Sequence, residues 1–377
     1  MLNRVMMIAG EASGDAHGAR VVKELRSRRP SVEIYGVGGD RMQEEGMELV
    51  YHISSLSFMG FVEVVRHLSL IREVERRLEK VLEERPPDVL VLIDYPGFNL
   101  HFARKARRHD VRVLYYISPQ VWAWHKGRVK KMKTLVDRMK VVFPFEVELY
   151  RKEGIDVEFV GHPLAESLRS SMTREEFCRS TGLDAGRRIL GLFPGSRRQE
   201  IEKVFPTLLE AASELNRTDG VQVAVGVASN LGTTELQRFV PQGSSVVLVE
   251  NRTHELMRHA DAAMVTSGTA TLETGWFCTP LVVVYKTSPI SFLIGRWVVD
   301  VVNIGLVNIV AEKTVAPEFL QNEMTVENLV AAVHRILTDD AYRHTMKVEL
   351  SQIRRKLGEK GASARVAEGI IELGEKG

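Results

Sequence analysis

The chain has 377 residues, of which 44% are hydrophobic and 27% charged, and its formal net charge is +2. This length predicts two or three domains, at roughly 100–200 residues each. The small net charge indicates no overall attraction to nucleic acid. Two cysteines, Cys178 and Cys278, are too few for a disulfide framework or a zinc site, which fits a reducing compartment.

We expect neither a signal peptide nor a membrane-spanning helix. The apolar run at the N-terminus is too short for a signal peptide, and no uncharged stretch reaches the ~18 residues of a transmembrane helix. The most apolar region, 281–310, is interrupted by Lys286, Arg296 and Asp300.

Short apolar runs alternate with amphipathic stretches in chain order. The first half predicts strands at 4–9, 33–37, 88–93, 111–117 and 138–143, and helices at 15–28, 57–84 and 98–108. The second half predicts strands at 188–193, 221–227, 245–249, 262–265 and 281–285, and helices at 198–215, 231–239, 269–277 and 325–337. Strands that are apolar without alternation are buried on both faces, so the pattern indicates doubly wound parallel α/β sheets.

The two halves meet near 161–187, between the last strand of one and the first strand of the other. We therefore expect one Rossmann-like domain over 1–165 and a second over 185–339. The charged helical segment 340–377 is expected to complete the first domain.

The first candidate site follows the first predicted strand, because ligands of doubly wound sheets bind beyond the carboxyl ends of the strands. The motif "AGEASGD" stands there, at 9–15. Small residues let backbone amides approach a ligand, and the following helix N-terminus favours an anion. The candidates are Glu11, Ser13, Gly14 and Asp15. The alternative is a tight turn in which Asp15 caps the helix.

Asp94, in "LIDYPGFN" at 92–99, ends a strand that should be central and buried. A carboxylate there is costly unless it is paired or catalytic, so Asp94 is a candidate general base. Asn99 in the same motif is a candidate substrate-binding residue. The alternative for Asp94 is a helix cap or a structural hydrogen-bond acceptor.

The stretch "LFPGSRRQE", at 192–200, ends a buried strand and begins a helix. Ser196 is a good N-cap residue, and the first amides of the helix are unpaired at the positive end of its dipole. Arg197 adds a fork of charged donors, so the bend suits a phosphate or diphosphate. The alternative is an arginine at a helix start without a ligand.

A second small-residue loop, "TSGTATLE" at 266–273, also precedes a helix. Ser267, Gly268 and Thr269 suit a phosphate. Glu273 lies one turn further on the same face, where it can accept both hydroxyls of a ribose; the alternative is a capping box. Two such loops in one half, and a carboxylate with a small-residue loop in the other, are typical of a sugar-nucleotide glycosyltransferase with two facing α/β domains and a cleft between them.

In this order the motifs resemble the lipid-A-disaccharide synthase family, and the resemblance runs through nearly the whole chain. It is carried by "AGEASGD", "GVGGDRMQEEG" (36–46), "MGFVEV" (59–64), "IDYPGFN", "YISPQVWAWHKGRVKKMK" (116–133), "FPFE" (143–146), "GHPL" (161–164), "PGSRRQEI", "SGTATLE" and "PEFLQ" (317–321).

The resemblance implies a GT-B fold and an inverting transfer from UDP-2,3-diacylglucosamine to the 6-hydroxyl of 2,3-diacylglucosamine 1-phosphate. The products would be the β(1→6) lipid A disaccharide 1-phosphate and UDP. The family implies no metal ion and no other cofactor. It implies a cytoplasmic enzyme, peripheral on the inner face of the cytoplasmic membrane, and a homodimer that can exchange C-terminal portions.

The resemblance also implies roles for individual residues. Asp94 matches the base that takes the proton from the acceptor hydroxyl, and Arg197 matches the arginine that stabilises the departing UDP. The residues that match the nucleotide-binding regions are Ser196, Ser267, Gly268, Thr269, Glu273, Glu318 and Gln321.

The stretch "LVNIVAE", at 306–312, departs from the family pattern, which is close to "LPNLIAG". Val307 stands in place of a proline and Glu312 in place of a glycine. The path of this loop, and any ligand contact by Asn308, are therefore open at this point.

Two apolar stretches are candidates for membrane contact. The stretch 58–71 has apolar residues at helical spacing beside several arginines, as in an interfacial helix; ordinary core packing is the alternative. The stretch 290–302 is expected to divide between core and surface. Basic residues are dense over 104–140, and they form either a basic face or an ordinary solvated helix surface. Trp122 and Trp124 either line the acceptor cleft or have only a packing role.

Two other functions fit the same motifs. A soluble epimerase of UDP-N-acetylglucosamine would need no apolar surface for lipid. A non-catalytic nucleotide-binding or membrane-surface module would keep its function after Asp94→Asn.

Overall fold

The computed structural model describes residues 2–55, 68–119, 128–228, 230–287 and 303–375, and the chain divides into two units. Unit 1 comprises Met1–Glu166 and Gly358–Gly377, and unit 2 comprises Ser167–Leu357. Each described part contains one parallel sheet with helices, so the prediction of two doubly wound α/β domains is confirmed.

Unit 1 has, in its described part, seven parallel strands in the order β3-β2-β1-β4-β5-β6-β7. The strands are β1 (Arg4–Ala9), β2 (Glu33–Gly38), β3 (Glu48–His52), β4 (Val89–Ile93), β5 (Arg112–Tyr116), β6 (Arg138–Val141) and β7 (Val157–Phe159). The helices are Ala12–Arg28, Asp40–Glu44, Leu68–Glu84, Pro96–Arg108, Arg128–Met132, Phe145–Lys152, Leu164–Ser167 at the end of the unit, and Ala362–Glu375.

The core of unit 1 surrounds its central strands. Every residue of β4 is buried, which accounts for a sequence without polar alternation. On one face, Val74, Leu78 and Phe102 of two helices join the apolar cluster. Two family motifs meet in a buried contact of this unit, where the Ser118 hydroxyl donates to the Glu146 carboxylate.

Polar contacts hold the C-terminal helix Ala362–Glu375 in unit 1. The Glu166 carboxylate accepts hydrogen bonds from the N–H groups of Gly361 and Ser363, each at 3.0 Å. Arg138 of the sheet pairs with Glu372 of the helix at 2.6 Å.

The preceding helix, Asp340–Lys356, belongs to unit 2. Its buried residues include Leu350 and Ile353, and it contacts the helices Thr269–Trp276 and Leu306–Ala311 of that unit. The return to unit 1 therefore begins at residue 358 and not at residue 340, which differs from the expectation for 340–377.

Unit 2 has, in its described part, six parallel strands in the order β10-β9-β8-β11-β12-β13. The strands are β8 (Ile189–Phe193), β9 (Gln222–Gly226), β10 (Val247–Val249), β11 (Ala262–Thr266), β12 (Leu281–Tyr285) and β13 (Glu318–Leu320). The helices are Arg174–Thr181, Arg198–Asp219, Thr233–Gln237, Thr253–His259, Thr269–Trp276, Leu306–Ala311, Val326–Thr338 and Asp340–Lys356.

The strands that sequence analysis did not predict lie at the sheet edges. They are β3, β7 and β13, which have three to five residues and are only partly buried. Short edge strands carry little of the apolar signal on which the prediction depends.

Several predicted features lie outside the described residues. They are most of the apolar stretch 58–71, the tryptophans Trp122 and Trp124, and nearly all of 290–302. Among the helices that are described, none has the length and apolar character needed to cross a bilayer.

Candidate functional site

In unit 1, the loops that follow β1 and β4 lie side by side. The chain continues from β1 to one side of the sheet and from β4 to the other, so these strands flank the switch point at which ligands of such sheets bind. A Cβ atom on Gly10 would lie 2.2 Å from the Tyr95 ring, so only glycine fits there. The first and second motifs therefore form one site.

Asp94 and Tyr95 follow β4 and form a left-handed turn, called the elbow below. The φ of Asp94 is 49° and that of Tyr95 is 44°, a region that costs an L-residue roughly 1–2 kcal/mol. The Asp94 N–H donates to the Tyr116 carbonyl at 3.0 Å, and the helix that follows begins with Pro96, whose fixed φ suits a first helical position. Strained turns of this kind cluster at functional sites.

The Asp94 carboxyl is tuned toward neutral pH. Its pKa is raised from 3.8 to about 6, first by burial and second by the neighbouring Glu11 carboxylate, while the Tyr95 N–H opposes the rise. Asp94 is therefore mainly ionised at pH 7, with a pKa close to the working pH. This is the condition under which a general base is most effective.

Asp15 has a structural task. It lies inside the helix Ala12–Arg28 instead of capping it, so the alternative that it caps this helix is wrong. Its carboxylate accepts hydrogen bonds from the N–H groups of Gly39 at 2.7 Å and Met42 at 3.1 Å. Asp15 thus caps the start of a different helix, Asp40–Glu44.

The other candidates of unit 1 differ in accessibility. Gly14 is buried and Ser13 is exposed. Asn99 is fully buried, and its amide nitrogen donates to the carbonyls of Ile93 at 3.2 Å and Asp94 at 2.7 Å. Asn99 therefore contacts the backbone of the elbow, whereas Ser13 lies open at the start of its helix.

In unit 2, the loops after β8 and β11 flank the equivalent switch point. Gly195 has φ of 108°, which favours glycine. A Cβ atom at this position would lie 3.7 Å from Cγ2 of Thr266, at the end of β11, and 2.8 Å from the Glu200 carboxylate. The two predicted phosphate loops are therefore neighbours.

Arg197, and not Ser196, is the N-cap of the helix Arg198–Asp219. The prediction that Ser196 caps the helix is wrong because Arg197 keeps an extended conformation and lengthens the loop by one residue. Both residues are exposed. The Arg197 guanidinium pairs with Glu200 at 2.9 Å, and 58% of the arginine side chain is exposed against 19% for the glutamate. The Asn230 side-chain amide donates a hydrogen bond to the Ser196 carbonyl at 2.9 Å.

In the second loop, Ser267–Thr269, the first residue is hydrogen-bonded and the last is exposed. The Ser267 hydroxyl donates to the Ile304 carbonyl at 2.9 Å. Gly268 occupies the N-cap of the helix Thr269–Trp276, and Thr269 is exposed. The exposed helix start beside the Arg197 bend suits a diphosphate.

Burial alone raises the pKa of Glu273 from 4.5 to about 7. The group lies one turn into the helix Thr269–Trp276, in surroundings that disfavour its charge. Two hydroxyl donors, such as those of a ribose, would supply the hydrogen bonds that the ionised form requires.

The Glu318 carboxylate is hydrogen-bonded to neighbouring groups of unit 2. Its carboxylate accepts hydrogen bonds from the N–H groups of Ile304 and Gly305, at 2.9 Å each, and from the Asn308 amide at 2.8 Å. It therefore supports the start of the helix Leu306–Ala311. Asn308 itself is fully buried, which decides against a ligand contact by this residue.

Gln321 lies against the loop after β12. Its side-chain amide is 3.1 Å from both the N–H and the carbonyl of Thr287 once its oxygen and nitrogen are assigned to match these partners. The side chain thus anchors the segment after β13 to that loop.

The stretch that departs from the family pattern forms a short helix. Glu312 is its C-cap with φ of 61°, the position at which glycine is favoured. The Lys356 ammonium donates to two carbonyls at the helix end and pairs with Glu312 at 3.0 Å. The Val307 N–H donates to the Thr271 hydroxyl at 3.4 Å, a bond that proline cannot make.

Three residues near the sites were not singled out in the sequence. The Tyr115 hydroxyl donates to the Asp94 carbonyl at 2.6 Å, but in sequence it looks like any apolar strand residue. Glu200 stands three residues after the N-cap, where glutamate is a known helix-start signal. Asn230 has no local signal. Within the described ranges, no group of three or more His, Cys, Asp or Glu residues is placed to hold a metal ion.

Two doubly wound sheets, each with its candidate residues at the switch point, define a protein of the GT-B fold. The UDP-N-acetylglucosamine 2-epimerase from Neisseria meningitidis, solved with UDP-GlcNAc, matches with a TM-score of 0.65 at 12% identity, over 98% of this chain and 100% of that chain. The glycosyltransferase of kitacinnamycin matches with a TM-score of 0.67 at 16% identity, over 99% of each chain. At these identities the likeness shows the fold alone.

The chain belongs to the lipid-A-disaccharide synthetase family, whose model matches residues 5–368. It is 45% identical over 373 residues to the lipid-A-disaccharide synthase of Geobacter sulfurreducens, covering 98% of this chain and 97% of the relative. The corresponding protein of Myxococcus xanthus is 41% identical over 372 residues, with coverages of 98% and 97%. The resemblance seen in the sequence is confirmed, and the chain is a glycosyltransferase of lipid A biosynthesis.

Proposed function

We propose that this glycosyltransferase joins UDP-2,3-diacylglucosamine to 2,3-diacylglucosamine 1-phosphate. The products are the β(1→6) lipid A disaccharide 1-phosphate and UDP. Family membership supports the substrate class. The observation that carries the chemistry is a carboxyl group with a pKa of about 6 at the switch point of unit 1, in a chain whose unit 2 has a diphosphate-type bend at its own switch point.

Asp94 acts as the general base of the proposed reaction. It takes the proton of the acceptor 6-hydroxyl while that oxygen attacks the anomeric carbon of the donor. The bond from this carbon to the diphosphate oxygen breaks, and its electron pair leaves with UDP. Because the attack comes from the face opposite the leaving group, the configuration inverts.

Unit 2 stabilises the leaving group. Arg197 and the backbone of Ser267–Thr269 offset the charge that develops on the diphosphate, and such groups act mainly in the transition state. Glu273 accepts the ribose hydroxyls. Glu11 and Ser13, open at the start of their helix, contact the acceptor.

Membrane contact belongs to the same proposal, since both substrates carry acyl chains. A surface concavity in unit 1 is lined by Arg104, Lys130 and Lys131, with Thr134 and Leu135 beside them. Basic residues near an anionic leaflet contribute about 1 kcal/mol each, so we place this face toward the inner surface of the cytoplasmic membrane. The homodimer that exchanges C-terminal portions stays a prediction.

The function is tested by incubating the protein with both substrates and measuring the product by mass spectrometry, with and without EDTA. We expect the disaccharide 1-phosphate in both samples. Asp94→Asn should lower kcat by about 10²–10⁴-fold. Asp110→Asn is the matched control, because Asp110 also has a left-handed conformation, with φ of 56°, and lies exposed in the same unit.

Absence of the disaccharide would contradict the proposed substrates. A loss of two-fold or less in Asp94→Asn would contradict the assignment of the base.

A further inference from the structure

Two buried side chains hold the main chain of Asp94. The Asp94 carbonyl accepts hydrogen bonds from the Asn99 amide at 2.7 Å and from the Tyr115 hydroxyl at 2.6 Å. Both residues are fully buried. They come from different elements, since Asn99 belongs to the helix that follows the elbow and Tyr115 to the neighbouring strand β5.

These contacts determine a conformation that the backbone would not keep unaided. Asp94 and Tyr95 are consecutive non-glycine residues with positive φ, and such strain persists only where the surroundings over-determine it. Asn99 adds a second donation, to the Ile93 carbonyl at 3.2 Å. The Asp94 N–H is bound separately to the Tyr116 carbonyl. The carbonyl of the elbow is thus fixed by side chains, and its amide by the sheet.

We propose that Asn99 and Tyr115 are positioning residues, which fix the Asp94 carboxyl for proton abstraction by holding the peptide unit that carries it. The inference rests on the proposed role of Asp94 as the base. It gives Asn99 a task other than the substrate contact expected from the sequence, and it adds Tyr115 to the residues on which turnover depends.

The geometry predicts a loss in turnover and not in substrate binding. Neither side chain is exposed, so neither is placed to bind substrate directly. Loss of one neutral hydrogen bond corresponds to roughly 2–12-fold in an equilibrium, here the equilibrium between the held elbow and relaxed forms. A relaxed elbow also exposes the Asp94 carboxyl group, which lowers its pKa because burial is the main cause of the raised value. The acid limb of the pH profile of kcat should therefore move toward lower pH.

The charged and titratable groups that act on Asp94 are few. Glu11 raises its pKa from the loop after β1. The phenols of Tyr95 and Tyr115 have pKa values raised by burial, so both stay neutral in the range of the assay. A shift of the acid limb in a tyrosine variant therefore reports on the surroundings of Asp94.

The test compares Tyr115→Phe with Tyr116→Phe. These adjacent residues of β5 are both fully buried, but the Tyr116 hydroxyl has no hydrogen-bond partner among the described residues. We expect Tyr115→Phe to lower kcat roughly 2–12-fold, to leave KM for both substrates unchanged, and to move the acid limb of kcat downward. Tyr116→Phe should change none of these.

Asn99→Ala removes two donations and should lower kcat further than Tyr115→Phe does. Thermal unfolding of each variant shows whether it folds, and if Asn99→Ala fails to fold, the two phenylalanine variants decide. Unchanged kcat and acid limb in Tyr115→Phe would overturn the inference, as would equal losses in Tyr115→Phe and Tyr116→Phe. If Asp94→Asn is active, both the inference and the proposed base fail. If Asp94→Asn is inactive and Tyr115→Phe is unaffected, only the inference fails.

Discussion

Removal of the charge at Glu11 should move the acid limb of turnover to lower pH. Burial and Glu11 together raise the pKa of Asp94 from 3.8 to about 6, and burial is the larger cause. Glu11 therefore makes the smaller of the two upward contributions, and the Tyr95 N–H opposes both. A negative charge disfavours ionisation of its neighbour, so Glu11→Gln lowers the pKa of Asp94. For a fall of about one pKa unit, the ionised fraction of Asp94 at pH 5 would increase from about one tenth to about one half, ~5-fold.

The assay is the pH profile of kcat, normalised to each variant's own maximum. Glu24→Gln is the matched control, because Glu24 lies in the helix that begins after Glu11 and pairs instead with Arg28, at 3.9 Å. An acid limb that stays in place or moves upward in Glu11→Gln would show that the Glu11 charge does not raise the pKa of Asp94. An equal downward shift in both variants would show that the effect is not specific to the neighbour of Asp94.

Three further predictions concern unit 2. Arg197→Ala should weaken UDP binding in calorimetry by roughly 1.5–3 kcal/mol. Arg198→Ala should not, because the Arg198 guanidinium pairs with Glu235; equal losses would contradict the proposal that Arg197 binds the diphosphate. The folded-state pKa of Glu273 is raised to about 7, so its ionisation costs stability as pH rises from 4.5 through 7. Glu273→Gln should therefore raise the free energy of unfolding by on the order of 1–3 kcal/mol at pH 8 and leave it unchanged at pH 4, and a gain independent of pH would count against burial as the cause. Glu312→Gly should raise the melting temperature by relieving the left-handed strain, about 1 kcal/mol, while Glu312→Gln, which only loses an exposed ion pair, should not.

The central strands could be predicted from the sequence because burial on both faces leaves a continuous apolar run. The bounds of β12 agree with the prediction, and those of β4 differ by one residue. The edge strand β7, "VEF", has an exposed glutamate between two half-buried residues. Its pairing with β6 is a tertiary effect that three residues of sequence do not encode.

The positions of the site loops could also be predicted, because parallel strands present their carboxyl ends at one edge of the sheet. What each side chain does could not. The partners of Asp15 are 24 and 27 residues away, and Glu318 bonds to residues more than ten positions earlier. Contacts over such separations arise from the fold, so a polar residue in a motif beside a site can support the local structure without contacting a ligand.

Tyr115 is the opposite case, a residue near the site that the sequence did not indicate. In "VRVLYYI" it is one of several large strand residues, and nothing separates it from Tyr116. Only the structure shows that one hydroxyl reaches the Asp94 carbonyl and that the other finds no partner among the residues described.

The proposed mechanism requires that the bend at Pro194–Arg197 and the loop at Ser267–Thr269 hold the diphosphate of the donor. A crystal structure of the protein with UDP would show whether they do. We expect diphosphate oxygens within hydrogen-bond distance of the Arg197 guanidinium and of the amides at the start of the helix Thr269–Trp276, with the ribose hydroxyls on Glu273. UDP bound in unit 1 beside Glu11 and Asp94, or in unit 2 away from both loops, would contradict this mechanism.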